Sequence, residues 1–194
     1  MCVYDNEYAM VTEFLSGGSL FDFLHKEGES LEEEKIFYIC KDMALGMSYL
    51  HGKNVLHCDL KSSNVLIDEY WNVKICDFGL SRIRNTKKNK KNNNIRVGTP
   101  HWMAPEILKG EKYEYESDVY SFGIILWKML TGQIPYKDKS TADIIDLVGN
   151  DETHHIPIPN YPNPLFLKIF FMCTERDMKK RPSFKYIVEM LEEE

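Results

Sequence analysis

No C-x-x-C pair occurs among the five cysteines Cys2, Cys40, Cys58, Cys76 and Cys173, which argues against a zinc site. Nor do they read as a disulfide framework, since 194 residues can bury a core without staples. With no secretory leader pattern at its start, the chain is expected to keep reduced thiols in the cytoplasm, or in the nucleus. No apolar run is long enough for a bilayer. The longest, near 122–130, is broken by Lys128, so no membrane insertion is expected. Basic charge is not in excess: 24 Lys and Arg face 30 Asp and Glu, for a net charge of −6, and no nucleic-acid partner is expected. There are no internal repeats. What remains, 43% hydrophobic and 28% charged residues, suits one globular domain of ordinary size.

The opening residues 1–4 and 8–12 read as two short strands joined at Asp5-Asn6-Glu7. A Ser-Gly-Gly turn follows. Ser19 with Asp22 then marks a helix start, and Leu20–Leu24 continues it. Ser30 with Glu33 gives a second capping-box pattern. After it Ile36, Cys40, Met43, Met47 and Leu50 share one helical face that should end near His51-Gly52. Val65–Ile67 and Val73–Cys76 bracket a turn-like segment and predict a hairpin. Residues 82–96 lack periodicity, and the run from Thr86 to Asn94 holds four lysines and no acid, so a flexible Lys/Asn-rich insert is expected near 84–96. Residues 119–130 are apolar nearly all round and predict a central buried helix. Ser140 with Asp143 starts a helix expected to run through Val148. Pro157, Pro159, Pro162 and Pro164 force an extended connection. Leu165–Cys173 reads as a helix, and Phe184, Ile187, Val188 and Leu191 stripe the last one. The predicted class is α+β, mostly α, with a few strands first and about six helices after.

The chemistry concentrates in His57-Cys58-Asp59-Leu60-Lys61-Ser62-Ser63-Asn64 and in Asp77-Phe78-Gly79. A carboxylate can orient a hydroxyl and take its proton. A Lys two residues on can neutralise charge on a moving phosphate. An Asn and a second Asp supply hard oxygens suited to Mg²⁺. Alone, H-x-D is a common surface tripeptide; all four residues at these spacings, with a hairpin between them, are not a chance pattern. His154-His155 has no Asp, Glu or Cys at a useful spacing and reads as a solvated loop, not a metal site.

This set resembles the catalytic and metal loops of the eukaryotic protein kinases. Lys61 gives it a serine/threonine character. The block DVYSFGIILWKMLTGQIPY, residues 118–136, is similar to the tyrosine-kinase-like branch, the RAF-like and mixed-lineage group. The resemblance covers essentially the whole chain. It implies a protein-kinase-like C-terminal lobe over 16–194, preceded at 1–15 by the last N-lobe strands and hinge. It implies a serine/threonine kinase that moves the γ-phosphoryl of ATP onto Ser/Thr hydroxyls of protein substrates. Asp59, Lys61 and Thr99 are then catalytic. Asn64 and Asp77 hold Mg²⁺, and with Lys61 they bind the nucleotide's phosphates. Thr12 is the gatekeeper, Glu13 and Leu15 meet adenine through backbone groups, and Leu66 forms the floor beneath the base. The stretch from Gly98 to Glu106 resembles the end of an activation segment. Its Glu106 should pair with Arg181, and Asp118 should cap the catalytic-loop backbone.

The sequence departs from the family pattern in two respects. Cys58 stands where most kinases carry an Arg that clamps an activation-loop phosphate, and a thiol cannot do this. No G-x-G-x-x-G and no strand Lys for the α/β-phosphates are present, so an N-terminal lobe is expected upstream and this chain alone is expected to be inactive. The rival reading is a catalytically silent kinase-like interaction module. Cys76, beside Asp77, reads either as a site for thiol-reactive ligands or as a small buried apolar residue.

Overall fold

The computed structural model describes residues 2–4, 7–9, 12–26, 31–84 and 98–193. Among them are seven α-helices and three separate two-stranded antiparallel sheets. Strands β1 (Cys2–Tyr4) and β2 (Glu7–Ala9) pair Cys2 with Ala9 and Tyr4 with Glu7. The second predicted strand reached Thr12, but Thr12 lies outside any strand and is exposed. The described pairing ends at Cys2 with Ala9, so no described residue opposes Thr12 in a ladder.

Helix α1 (Leu20–Lys26) starts as its sequence predicts. The Ser19 hydroxyl accepts from the Asp22 amide at 3.1 Å and donates to the Asp22 carboxylate at 2.7 Å. Helix α2 (Glu33–Gly52) buries Ile36, Cys40, Met43 and Met47, the predicted face, and adds Ile39 and Ala44. Its cap corrects the sequence reading. The N-cap is Glu32, not Ser30, which lies outside the described residues. Leu31 is buried beside it, so an apolar anchor at the helix entrance fixes where α2 begins.

After α2 the chain forms β3 (Val55–Leu56), the loop that carries Asp59, a 3₁₀ turn at Ser62–Asn64, and the hairpin β4 (Val65–Ile67) and β5 (Val73–Ile75). The predicted hairpin is in register, Val65 facing Ile75. Asp68 organises its turn by accepting from the Tyr70 and Asn72 amides at 2.8 and 2.9 Å. Strand β6 (Arg82–Ile83) pairs with β3. It was missed because two residues carry no periodicity. The predicted Lys/Asn insert falls almost wholly on residues outside those described. Its first residue, Arg84, is held: its guanidinium meets Glu114 at 2.8 Å and lies over the Tyr115 ring.

Helix α3 (Pro105–Leu108) leads to α4 (Tyr115–Thr131), buried all round from Ser117 to Leu130. Each large apolar side chain removed from water there contributes about 1.5–3 kcal/mol. Gly132 closes α4 in the left-handed conformation. Helix α5 (Thr141–Ile144) carries the predicted Ser140–Asp143 box, then widens into a π-helical turn over Ile145–Asn150, so the single helix expected through Val148 is two. Helix α6 (Pro164–Cys173) starts at Pro164, with Asn163 as its cap, and packs on α4. Helix α7 (Phe184–Glu192) sets Phe184, Ile187, Val188 and Leu191 against α2.

Lys128 is the exception within α4: it has no exposed surface. Burial pushes its ammonium down to about 8, while Asp22 acts to raise it. In the unfolded chain the group titrates near 10.5. Above pH 8 the folded chain has therefore released a proton that the unfolded chain still holds, and stability rises with pH through this window. Wild type is expected to gain about 2 kcal/mol relative to Lys128→Met between about pH 8 and 9.5. Urea midpoints of both proteins across that range check the sign.

Candidate active site

The loop from His57 to Asn64 is clamped from below by α4. The Asp118 carboxylate is fully buried and accepts from the His57 amide at 2.9 Å and the Cys58 amide at 3.0 Å. His51, at the end of α2, meets the same carboxylate at 3.0 Å. The capping role expected of Asp118 is therefore seen, and His51 joins it. Sequence reasoning treated His51 only as a helix stop, and nothing local in the chain marks it.

Four donors converge on Asp59. Its Oδ1 accepts from the Thr99 amide at 3.0 Å and from the Thr99 hydroxyl at 3.1 Å. Its Oδ2 meets the Lys61 ammonium at 2.8 Å and the Asn64 amide at 3.3 Å. Lys61 also donates to the Thr99 hydroxyl at 2.8 Å. Thr99 thus joins, from 38 and 40 positions away, a cluster begun by Lys61 and Asp59. Gly98 permits the approach. Its φ is +113°, and a Cβ there would lie 2.8 Å from the Cys58 carbonyl oxygen and 3.3 Å from Asp59 Oδ1.

Asp77 is joined to this cluster through the backbone. The Cys76 amide donates to the Asn64 carbonyl at 2.9 Å, and His57 Nε2 meets the Cys76 carbonyl at 3.1 Å. His57 Nδ1 accepts from the Asp59 amide at 3.3 Å, so the tautomer protonated on Nε2 serves both contacts. His57 therefore staples the Asp59 loop to the Asp77 loop, a role that the sequence did not reveal. Both loops hold a non-glycine residue in the left-handed region, Cys58 at φ 66° and Asp77 at φ 62°. Such conformations persist only where surrounding contacts enforce them. Asp77 is exposed, and its Oδ1 accepts from the Gly79 amide at 3.2 Å.

Among the described residues no three His, Cys, Asp or Glu side chains group as an all-protein metal cage. Mg²⁺ does not need one, because it takes one or two protein oxygens plus phosphate and water. Asn64 spends its amide hydrogens on Asp59, which leaves the side-chain oxygen as a ligand, and Asp77 offers a carboxylate. The donor set therefore fits a hard divalent cation.

The residues expected on the nucleotide side are more open. Thr12 and Glu13 are exposed, and the Glu13 carboxylate pairs with Lys74 at 3.3 Å. Leu15 is half-buried. Leu66 is half-buried on β4, bridged to Ser19, which ties the segment after Leu15 to the hairpin.

No described thiol near the site is activated. Burial, with the Asp118 charge next and Asp59 assisting, pushes Cys58 up to about 12 against the pull of Arg82. Burial and Asp77 raise Cys76, and burial raises Cys40 and Cys173 far more. This favours the apolar role for Cys76. Iodoacetamide at about pH 7.5 is expected to leave Cys40, Cys58 and Cys173 of the folded chain unmodified and to reach Cys76 only slowly. Peptide mass mapping checks this.

Away from the site, Glu106 and Arg181 form the expected buried pair, at 2.7 Å. No described helix is long and apolar enough to cross a membrane.

Comparison with known proteins agrees with this geometry. The chain is 43% identical to the serine/threonine-protein kinase CTR1 of Arabidopsis thaliana, over 94% of this chain and 22% of that protein. It is 37% identical to the serine/threonine-protein kinase STY46 of the same plant, over 99% of this chain and 33% of the relative. It is 39% identical to the probable serine/threonine-protein kinase drkC of Dictyostelium discoideum, over 98% and 26%. The chain thus spans about a fifth to a third of the length of these relatives. The family model for protein tyrosine and serine/threonine kinases matches residues 1–191. On this match the chain belongs to the protein tyrosine and serine/threonine kinase family, and the relatives named above bear serine/threonine kinase names.

Proposed function

We propose that this chain supplies the last N-lobe strands and hinge, at 1–15, and the C-terminal lobe, at 16–194, of a serine/threonine protein kinase that uses ATP and Mg²⁺. The observation that carries the proposal is the cluster of four donors on Asp59, stapled to the Asp77 loop. Asp59 orients the acceptor hydroxyl and receives its proton. Lys61 swings from Asp59 toward the transferred phosphoryl group and offsets its charge. Thr99 holds both residues in place. Asn64 and Asp77 hold Mg²⁺, which when bound neutralises phosphate charge. Backbone groups of Glu13 and Leu15 meet adenine, with Thr12 behind it and Leu66 below.

No glycine-rich phosphate loop occurs within these 194 residues. Residues 1–194 alone are therefore expected to turn over far more slowly than a kinase with both lobes. The decisive experiment incubates the whole protein with Mg-ATP and peptides bearing Ser, Thr or Tyr, and maps the phosphorylated residue. Phosphoserine or phosphothreonine is expected. Tyrosine-only products, or none from a form carrying both lobes, defeat the proposal, and the second result favours a silent binding module.

The buried Cys58 thiol offers no cation to a phosphate on the segment before Gly98. Activity is accordingly expected to change less than about threefold on phosphatase treatment, whereas Cys58→Arg introduces a dependence. Rates before and after phosphatase check this.

A further inference from the structure

We propose that Lys128 is a positioning residue for the phosphoryl-transfer site, holding the Ser62–Asn64 turn onto α1 and α4 from beneath. The inference rests on the kinase reading above and extends it to a residue that touches neither nucleotide nor acceptor.

The case starts from a misfit. Lys128 stands in a helix whose neighbours are Trp127 and Met129, and its side chain has no exposed surface. An ammonium in such a place carries a desolvation penalty that an apolar side chain of similar volume avoids. Its ammonium reaches across to other elements. The Nζ donates to Ser62 Oγ at 3.1 Å and sits 3.9 Å from the centre of the Phe21 ring. The Asp22 charge, one residue on in α1, acts on it favourably. Helix α1 in turn packs against the Ser62–Asn64 turn and against β4. One cation therefore ties together α4, α1 and the turn.

The turn carries Asn64 and follows directly on Lys61, so its position sets two site residues. Its 3₁₀ geometry rests on the Asn64 amide donating to the Lys61 carbonyl at 2.9 Å, and no side chain caps it. Asp118 clamps the loop only at His57 and Cys58. Ser62 directly follows Lys61, which meets Asp59, and opens the turn that ends at Asn64, which donates to Asp59 and accepts from Cys76. A grip on Ser62 therefore bears on both. An error of about 1 Å in such positions costs on the order of a hundredfold in rate.

The test compares Lys128→Met, Lys128→Arg and Ser62→Ala with wild type by hydrogen exchange and, in the whole protein, by kinetics. Exchange at amides 61–65 is expected to rise about tenfold in Lys128→Met and in Ser62→Ala, with α6 and α7 unchanged. The double variant adds little to either single one. Lys128→Arg retains most of the protection. In turnover, Lys128→Met lowers kcat about tenfold while KM for ATP stays within about twofold. Unchanged exchange at 61–65, or a rise shared equally by α6 and α7, overturns the proposal. Should Lys128→Met fail to fold, Ser62→Ala carries the same test. If no form of the protein transfers phosphate, the exchange pattern still decides the role of Lys128 separately from the kinase reading.

Discussion

Asp59→Asn in the whole protein is expected to lower kcat for peptide phosphorylation by about 10³-fold and to leave ATP affinity nearly unchanged. Asn preserves the volume and one acceptor oxygen, so the loop should keep its path. Asp118 still clamps the His57 and Cys58 amides, and His57 still bridges to Cys76. What goes is the anion proposed to receive the proton. The Thr99 and Lys61 donors also lose the negative charge they now share. The effect is expected in the chemical step, because the partner proposed for Asp59 is the acceptor hydroxyl and not the nucleotide base. Steady-state kinetics with a nucleotide-binding titration separate the two quantities. A variant within tenfold of wild-type kcat sinks the assignment of Asp59 as the base.

The second large effect concerns stability. Arg181→Ala is expected to cost about 3–5 kcal/mol. The Arg181 guanidinium meets both oxygens of Glu106, at 2.7 and 2.9 Å, and donates to the Glu116 and Glu175 carbonyls at 2.9 and 2.6 Å. Its removal leaves the buried Glu106 carboxylate with the Ser117 hydroxyl at 2.9 Å as its remaining side-chain donor. Three partly buried carbonyls, of Glu116, Glu175 and Arg176, lose a donor as well. For a chain of this length the melting temperature should fall by roughly 10 °C or more. Arg181→Lys should rescue little, since one ammonium cannot replace a planar fork. Joint replacement by Glu106→Gln and Arg181→Met should recover part of the loss, because it removes the stranded charge. Urea unfolding of the variants checks the order. An Arg181→Ala midpoint equal to wild type shows that the pair contributes nothing.

Much of this molecule was legible in the chain. Periodicity located α2 and α7, because a buried helix face must repeat near 3.6 residues, and apolarity nearly all round located α4. Ser19–Asp22 and Ser140–Asp143 marked helix starts, because a hydroxyl and a carboxylate three residues apart satisfy each other's backbone. Ser30–Glu33 made the same promise and failed, since burial of Leu31 set the helix entrance at Glu32. The two-residue pairing of β3 with β6 was invisible, because its partners lie 26 and 28 positions apart and too few residues alternate.

The sequence by itself determined the chemical inventory: an acid, a lysine, an amide and a second acid at fixed intervals, with Asp118, Glu106 and Arg181 in reserve. These are local spacings and residue types, which a linear chain carries openly. Only the tertiary structure decided that His51 and His57 act as staples, that Asp59 receives Thr99 from 40 residues away, and that Lys128 reaches Ser62 from beneath. Those contacts depend on how helices cross. The crossing is fixed by packing of the whole core and not by any short segment.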